Sequence, residues 1–327
     1  MKQKVWRMKI AKICKVAVIG AGNMAREHLR AFADVPGVVL AGIHSRTRSR
    51  AQALADQFGI PAVCDSVPAL FERTRAQLVV VAVSETSTNE VSHACFQFPW
   101  TVLLEKPPGY NLKDALDIQS AASSHNSRVY VAMNRRSYAS TRAVLGDINA
   151  RKEIRYIKVQ DQQSRQEALD SGKSTVVADN YMYANSIHLV DYFRIFGRGE
   201  VLQVKSVVPW DSRSPGIVIS QLIFESGDIG LYEAVWNGPG PWAVTVSSPS
   251  KRWELRPLEQ AAWQQQGKRQ LTQIPSHVWD GDFKPGFRKQ AEEAVKAALK
   301  EYPETLPTLD DILKTMRLVQ TIYMMEA

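Results

Sequence analysis

Cysteine is scarce in this chain. Among 327 residues there are three, Cys14, Cys64 and Cys95. The odd number argues against a disulfide framework, and no two have the spacing of metal ligands, so no metal centre is expected. Three scattered thiols suit a reducing compartment, and a cytoplasmic location is the expectation. Long apolar runs are also missing. No stretch approaches 18 apolar residues, so no transmembrane helix is expected. Residues 1–12 carry five Lys/Arg but no signal-type apolar stretch follows them. The run 16–19 ends in glycines, as a strand does and a leader does not. Internal repeats and low-complexity tracts are absent. With 45% hydrophobic and 23% charged residues, the composition excludes a mainly disordered, collagen-like or disulfide-stapled chain.

Acidic residues are outnumbered, leaving a net charge of +8. Nucleic acid, anionic membranes and phosphorylated small molecules all suit a basic chain. The basic residues are dispersed and form no recognised nucleic-acid module, so neither nucleic acid nor membrane is an expected partner. The length implies about two domains and a sizeable core.

The first half alternates short apolar runs with amphipathic segments. Strands are expected at 15–19, 38–43, 78–83, 100–104 and 128–132. Helices are expected at 23–33, 48–58, 68–72, 88–96 and 112–123. Continuous apolar strands separated by helices signal a parallel sheet covered on both faces, hence a doubly wound α/β domain. The second half changes texture. Helices at 139–148 and 185–196 precede strand-like runs at 201–208, 216–224, 229–236 and 242–246. Helices at 287–299 and 309–323 close the chain. Strands without intervening helices imply an open, mostly antiparallel sheet in an α+β domain. The boundary is placed between residues 133 and 134. Residues 164–175 and 263–276 are polar and are expected to be mobile.

The first strand runs into Gly20-Ala-Gly22-Asn23-Met24-Ala25. This is G-x-G-x-x-A between a strand and a helix. Gly20 permits the tight turn, Gly22 lets backbone approach a pyrophosphate, and Ala25 allows close helix–strand packing. The free N–H groups at the helix start attract an anion. Dinucleotide binding is the expectation, against the plain alternative of a glycine-rich turn.

No acid stands at the end of the second strand, where Asp or Glu would accept bonds from an adenosine ribose. The stretch is His44-Ser45-Arg46-Thr47-Arg48, with Arg50 close behind. Ser45 and Thr47 can donate hydrogen bonds, and Arg46 can pair with a 2′-phosphate. NADP(H) is favoured and NAD(H) is possible. The alternative is an exposed basic loop. Part of the charge surplus, at Arg46, Arg48 and Arg50, is then local to a cofactor phosphate.

Further along stand Glu105-Lys106-Pro107 after the strand at 100–104, Asn134-Arg135-Arg136 after the strand at 128–132, and Ile187-His188-Leu189-Val190-Asp191. With Gly20, Gly22 and Ala25, and with the closing stretch 306–316, these resemble the glucose-fructose oxidoreductase / inositol dehydrogenase / rhizopine catabolism (Gfo/Idh/MocA) family. The resemblance spreads over most of the chain. It implies a Rossmann domain followed by an open-faced sheet domain, and NAD(P)-dependent oxidation or reduction of a hydroxyl or keto carbon in sugars, sugar nucleotides or cyclitols. It implies a homodimer or homotetramer through the second sheet. Lys106 suits the chemistry by residue type, since a lysine in a partly dry cleft beside a cationic ring loses basicity toward working pH. His188 stands where the resemblance implies a proton shuttle.

The expected catalytic pair is therefore Lys106 and His188. Gly20, Gly22, Asn23, Met24, Ser45, Arg46, Thr47, Arg50, Val83, Glu105 and Lys106 are expected at the cofactor. Lys106, Arg135, Tyr183, Asn185 and His188 are expected at the substrate. Arg135 suits a carboxylate or phosphate, or equally an interdomain ion pair. Tyr181, Tyr183, Trp236 and Trp242 are candidates to stack on a sugar, although strand tryptophans are more often core residues.

Two departures matter. Where the resemblance implies Asp, one helical turn before His188, the chain has Ala184. Tyr181, Tyr183 or Asp179 is a possible substitute partner, and Asp191 is expected to brace the helix. Where the resemblance implies Thr-Pro-Asn, the chain has residues 84–89, with Glu85 and no evident role for its charge. These keep two other readings open: a catalytically silent nucleotide-binding sensor, and an NAD-dependent glycoside-cleaving enzyme. The other histidines, His28 among them, are read as surface or packing residues.

Overall fold

The computed structural model describes residues 12–325. The basic start read above, apart from Lys12, lies outside the described residues. The first half builds β1 (Cys14–Ile19), α1 (Asn23–Ala33), β2 (Val38–His44), α2 (Arg48–Phe58), β3 (Val63–Cys64), α3 (Val67–Thr74), β4 (Leu78–Val81), α4 (Thr88–Phe96), β5 (Thr101–Leu104), α5 (Leu112–Ser124) and β6 (Arg128–Val131). The six strands form one parallel sheet in the order β3-β2-β1-β4-β5-β6. Every residue of β4 and β5 is buried, as expected of strands covered on both faces. Each fully buried Val or Leu there contributes roughly 1.5–3 kcal/mol. Helix ends carry their own signals. α2 stops at Gly59 in the left-handed region (φ 66°), and the Ser66 and Asn111 side chains cap α3 and α5.

The second half adds α6 (Ala139–Ile148), β7 (Tyr156–Gln163), α7 (Arg165–Asp170), α8 (Thr175–Asp179), α9 (Ile187–Phe196), and strands β8 (Val201–Val208), β9 (Ile217–Phe224), β10 (Ile229–Trp236), β11 (Ala243–Ser247), β12 (Lys251–Leu255), β13 (Ala261–Gln265) and β14 (Thr272–Ile274). Helices α10 (Val278–Asp282), α11 (Phe287–Ala298) and α12 (Leu309–Ile322) follow. The eight strands form a second sheet, β14-β13-β12-β11-β7-β10-β9-β8, in which only β7 and β10 pair parallel. α9 and α12 pack against one face. Along β7, β9 and β10 the residues of the other face are half-buried or exposed.

The last third of the chain returns to the first sheet. α11 packs on α1, β4 and β5, with Phe287, Ala291 and Ala294 in one cluster with Ala25, Leu29 and Phe32. Val131 N–H donates to Pro307 O at 3.0 Å, and Thr308 bridges Tyr130 beside β6. Thr308 also forms a capping box with Asp311 that starts α12. The two polar stretches expected to be mobile contain regular structure. Residues 164–175 hold α7, capped by the Ser164 hydroxyl. Residues 263–276 complete the β13–β14 hairpin.

Candidate active site

The strand order reverses around β1, which pairs with β2 on one side and β4 on the other. Open parallel sheets bind ligands at the carboxyl edge of such a point. A cleft of about 470 Å³ lies there. Gly20 opens it with φ +115°, and a Cβ there would stand 2.0 Å from Ala82 O, so only glycine serves. At Gly22 a Cβ would meet nothing within 4 Å, leaving the backbone open to a ligand. α1 starts at Asn23 with no side-chain cap and no acid in its first turn. Its N-terminal N–H groups and positive dipole end face the cleft undiminished. This cradle suits a dinucleotide pyrophosphate.

Asn23 and Met24 line the cleft from α1, Val83 from beyond β4, Ser45, Arg46 and Thr47 from the turn after β2, and Arg50 from the first turn of α2. Arg46 and Arg50 are exposed and make no ion pair among the described residues. Arg48 turns away and pairs with Asp65, so the basic cluster at this cleft is Arg46 and Arg50 without Arg48. Ser84, Ser87, Glu90 and Val91 also line it. Ser84 and Ser87 belong to the stretch 84–89 noted in the sequence, whereas Glu90 and Val91 carry no motif and were not singled out by sequence.

Glu105 does not line this cleft. Its carboxylate accepts from His28 Nε2 at 2.7 Å and from the Lys106 backbone N–H at 3.1 Å. Burial would raise its pKa, but the His28 hydrogen bond and the His28 and Lys106 charges outweigh burial and hold it below the usual carboxylate value. Glu105 therefore ties β5 to α1. His28 is a buried partner in that tie, packed on Phe287, and nothing in the sequence marked it.

A second cavity of about 410 Å³ adjoins the first and shares Met24, Val83 and Ser84 with it. Lys106 and Glu105 border it from β5, Glu85 from the turn after β4, and residues 171–174 from the α7–α8 loop. Glu85 pairs with Lys173 at 2.5 Å across it, which gives Glu85 a structural partner.

Lys106 Nζ donates to Ala184 O at 2.8 Å. Ala184 lies in a π-helical turn, Met182–Ser186, just before α9. π turns loosen the backbone ladder and recur at functional sites. The residue that replaces the implied Asp thus supplies its carbonyl to the lysine. Burial lowers the Lys106 pKa to about 8, against the opposing pull of Glu105. His188 opens α9 and is 6% exposed. Burial, then the charges of Arg135, Lys106 and Lys284, push its pKa well down, so its imidazole is neutral at neutral pH. Its Nδ1 has no hydrogen-bond partner.

Arg135 is buried beside the same groups and stacks on Trp242 at 4.4 Å. Asn185 donates to Gln163 Oε1 at 2.9 Å. Tyr183 is buried in the core and lines neither cavity. Asp179 pairs with Arg165 at the surface and so is no substitute for the implied Asp. Trp236 donates to Tyr323 Oη in the interior, a core role. Asp191 accepts a two-bond grip from Arg136 at 2.8 and 2.7 Å and a third bond from Thr315. It braces α9. Lys284, 3.3 Å from Met24 Sδ, and buried Asp161 complete the surroundings, and neither was singled out by sequence.

The family model described as "Oxidoreductase family, NAD-binding Rossmann fold" (Gfo/Idh/MocA) matches residues 14–133. Over residues 14–133 the chain is similar to the Gfo/Idh/MocA family. The Gfo/Idh/MocA match ends just before Asn134, so the residues lining the first cleft and Lys106 all lie within it. A curated relative, 4-carboxy-2-hydroxymuconate-6-semialdehyde dehydrogenase of Sphingobium sp., is 22% identical over 69% of this chain and 73% of its own. A dehydrogenase from Chromobacterium violaceum has the same fold at TM-score 0.79 and 21% identity, over 95% of this chain and 94% of that one. Aldose-aldose oxidoreductase from Caulobacter crescentus matches at TM-score 0.79 and 17% identity, over 96% and 97%. These likenesses show that the fold is shared through the second sheet.

Proposed function

We propose that the chain is an NAD(P)-dependent oxidoreductase that moves a hydride between nicotinamide and a hydroxyl or keto carbon of a sugar, sugar nucleotide or cyclitol. The observation that carries this reading is Lys106. It lines the second cavity, which adjoins the nucleotide cleft through Met24, Val83 and Ser84, near neutral His188, with a pKa of about 8. The nicotinamide ring, when bound, accepts or releases the hydride. In oxidation the substrate hydroxyl gives its proton to neutral Lys106 Nζ as the C–H bond yields its hydride and a carbonyl forms. In reduction the Lys106 ammonium returns that proton. Neutral His188 holds the substrate oxygen or relays the proton. The Ala184 carbonyl aims Nζ, so the missing Asp leaves the lysine held, and this favours an enzyme over a silent sensor.

NADP(H) is favoured within this reading. Arg46 and Arg50 at the rim have no counter-ion among the described residues, and no acid ends β2. Residues 1–133 serve as the nucleotide domain and 134–327 as the substrate and oligomerisation domain, with the uncovered sheet face meeting a second copy. The test is formation of reduced nicotinamide against a panel of sugars, cyclitols and sugar nucleotides. Wild-type rates in both Lys106→Ala and His188→Ala would contradict the residue roles.

A further inference from the structure

Arg135 lies in the 3-10 turn Asn134–Ser137 that follows β6. β6 runs beside β5 with Val131 opposite Leu104, and Ala132 N–H donates to Leu104 O at 2.8 Å. Arg135 and Lys106 therefore leave neighbouring strands at one carboxyl edge. The Arg135 side chain is held face-on to Trp242, and Trp242 is itself fixed by its Nε1 bond to Gln162 O at 2.9 Å. A guanidinium stacked this way keeps its edge for planar acceptors.

That edge is satisfied only in part among the described residues, where Arg135 bonds the Tyr138 hydroxyl. Arg135 is 8% exposed, and its Nη1 is a buried donor with no partner. Its neighbour Arg136 is paired with Asp191, but Arg135 makes no ion pair among the described residues. The buried carboxyl of Asp161 senses its charge, yet is engaged by Gln163 at 2.6 Å and Tyr232 at 2.7 Å. Buried donors are nearly always bonded, and a buried charge without a counter-ion is costly. Nearby His188 Nδ1 is unpartnered too. Lys106 and Lys284 add positive charge around it, while Glu105 and Glu85 are already committed to His28 and Lys173.

We propose that the substrate is acidic: a hydroxy or keto compound whose carboxylate is held by Arg135 while its reacting carbon faces Lys106 and His188. The inference rests on the oxidoreductase reading above. One carboxylate charge matches one guanidinium. A phosphate carries more charge than Arg135 alone balances, because Lys106 must become neutral to take a proton.

The test pairs acids with neutral congeners of the same ring: D-glucuronate with D-glucose, and D-galacturonate with D-galactose. D-Glucose 6-phosphate is the third arm. Binding is followed by calorimetry and turnover by reduced nicotinamide, with NADP⁺ present. The expected result is a preference for the acids of roughly 10- to 100-fold in kcat/KM, carried mostly by KM. Arg135→Gln brings that ratio close to one, and Arg135→Lys leaves part of it. A wild-type ratio near one, better use of the neutral or phosphorylated sugars, or an unchanged ratio in Arg135→Gln overturns the proposal. The wild-type comparison stands even if the variants fail to fold. Turnover of neutral sugars alone overturns this inference and leaves the oxidoreductase reading standing. Saturable binding of the acids without turnover upholds the carboxylate site at Arg135 and contradicts that reading. No binding and no turnover contradicts both.

Discussion

Lys106 Nζ lies 2.8 Å from the carbonyl oxygen of Ala184, which joins the carboxyl edge of the parallel sheet to the turn that opens α9. The lysine is held by a neutral acceptor. A carboxylate at the same place would raise its pKa and favour the ammonium. With the carbonyl, burial dominates and the pKa stays at about 8.

A pH profile follows from that value. Neutral Lys106 is the base for oxidation, so kcat/KM for oxidation is expected to rise through a limb near pH 8 and level off above it. Reduction needs the ammonium and is expected to fall through the same limb. Lys106→Arg stays protonated throughout. It should lose the limb and slow oxidation by roughly 100-fold or more. A limb near 8 that survives in Lys106→Arg contradicts the assignment.

Cofactor choice is expected to depend on the rim of the first cleft. Removing both free guanidinium groups in Arg46→Ala/Arg50→Ala should raise KM for NADP⁺ roughly 10- to 100-fold and change KM for NAD⁺ little. Initial rates with the two cofactors measure this. Equal losses with both would show that the arginines do not read a 2′-phosphate.

Gly20→Ala is expected to damage both fold and binding. Its φ of +115° disfavours any side chain, and a Cβ would collide with Ala82 O. The cost should exceed about 1 kcal/mol, read as a lower Tm, together with loss of nucleotide binding by calorimetry. Gly22→Ala has open space at Cβ and should keep Tm near wild type while weakening the nucleotide.

The His28–Glu105 bond is expected to matter for stability. His28→Leu leaves a buried carboxylate without its main partner, a loss of roughly 3 kcal/mol in chemical denaturation. By contrast, Lys173→Ala removes a part-exposed ion pair with Glu85. It should change stability by no more than about 1 kcal/mol, and its effect should appear in substrate KM. The reverse ranking would show that the two pairs have been given each other's roles.

Much of this architecture is legible in sequence, and the gaps have physical causes. α1, α2, α4 and α6 have amphipathic spacing and clear ends, such as Gly59 after α2. β7 is hidden because its buried row runs Ile157, Val159, Asp161, Gln163. Two polar residues in core positions break the apolar alternation, and they are satisfied by each other and by distant partners such as Tyr232. β3 is two residues long, too short for any period. At the site, glycines and strand-end residues announce themselves by position. The Glu105–His28 tie and the Lys106–Ala184 bond join residues 77 and 78 positions apart, Arg135 stacks on the still more distant Trp242, and a one-dimensional pattern carries no trace of them. A separation of 17 positions likewise hid the loss of Arg48 to Asp65.

The most direct test of the central claim is the initial rate of nicotinamide reduction by the purified protein with the sugar and sugar-acid panel, measured in wild type, Lys106→Met and His188→Gln. Substrate-dependent reduction in wild type, lowered at least about 100-fold by Lys106→Met and clearly slowed by His188→Gln, is the predicted result. Undiminished rates in both variants, or no turnover in a wild-type protein that binds nucleotide tightly, would contradict it.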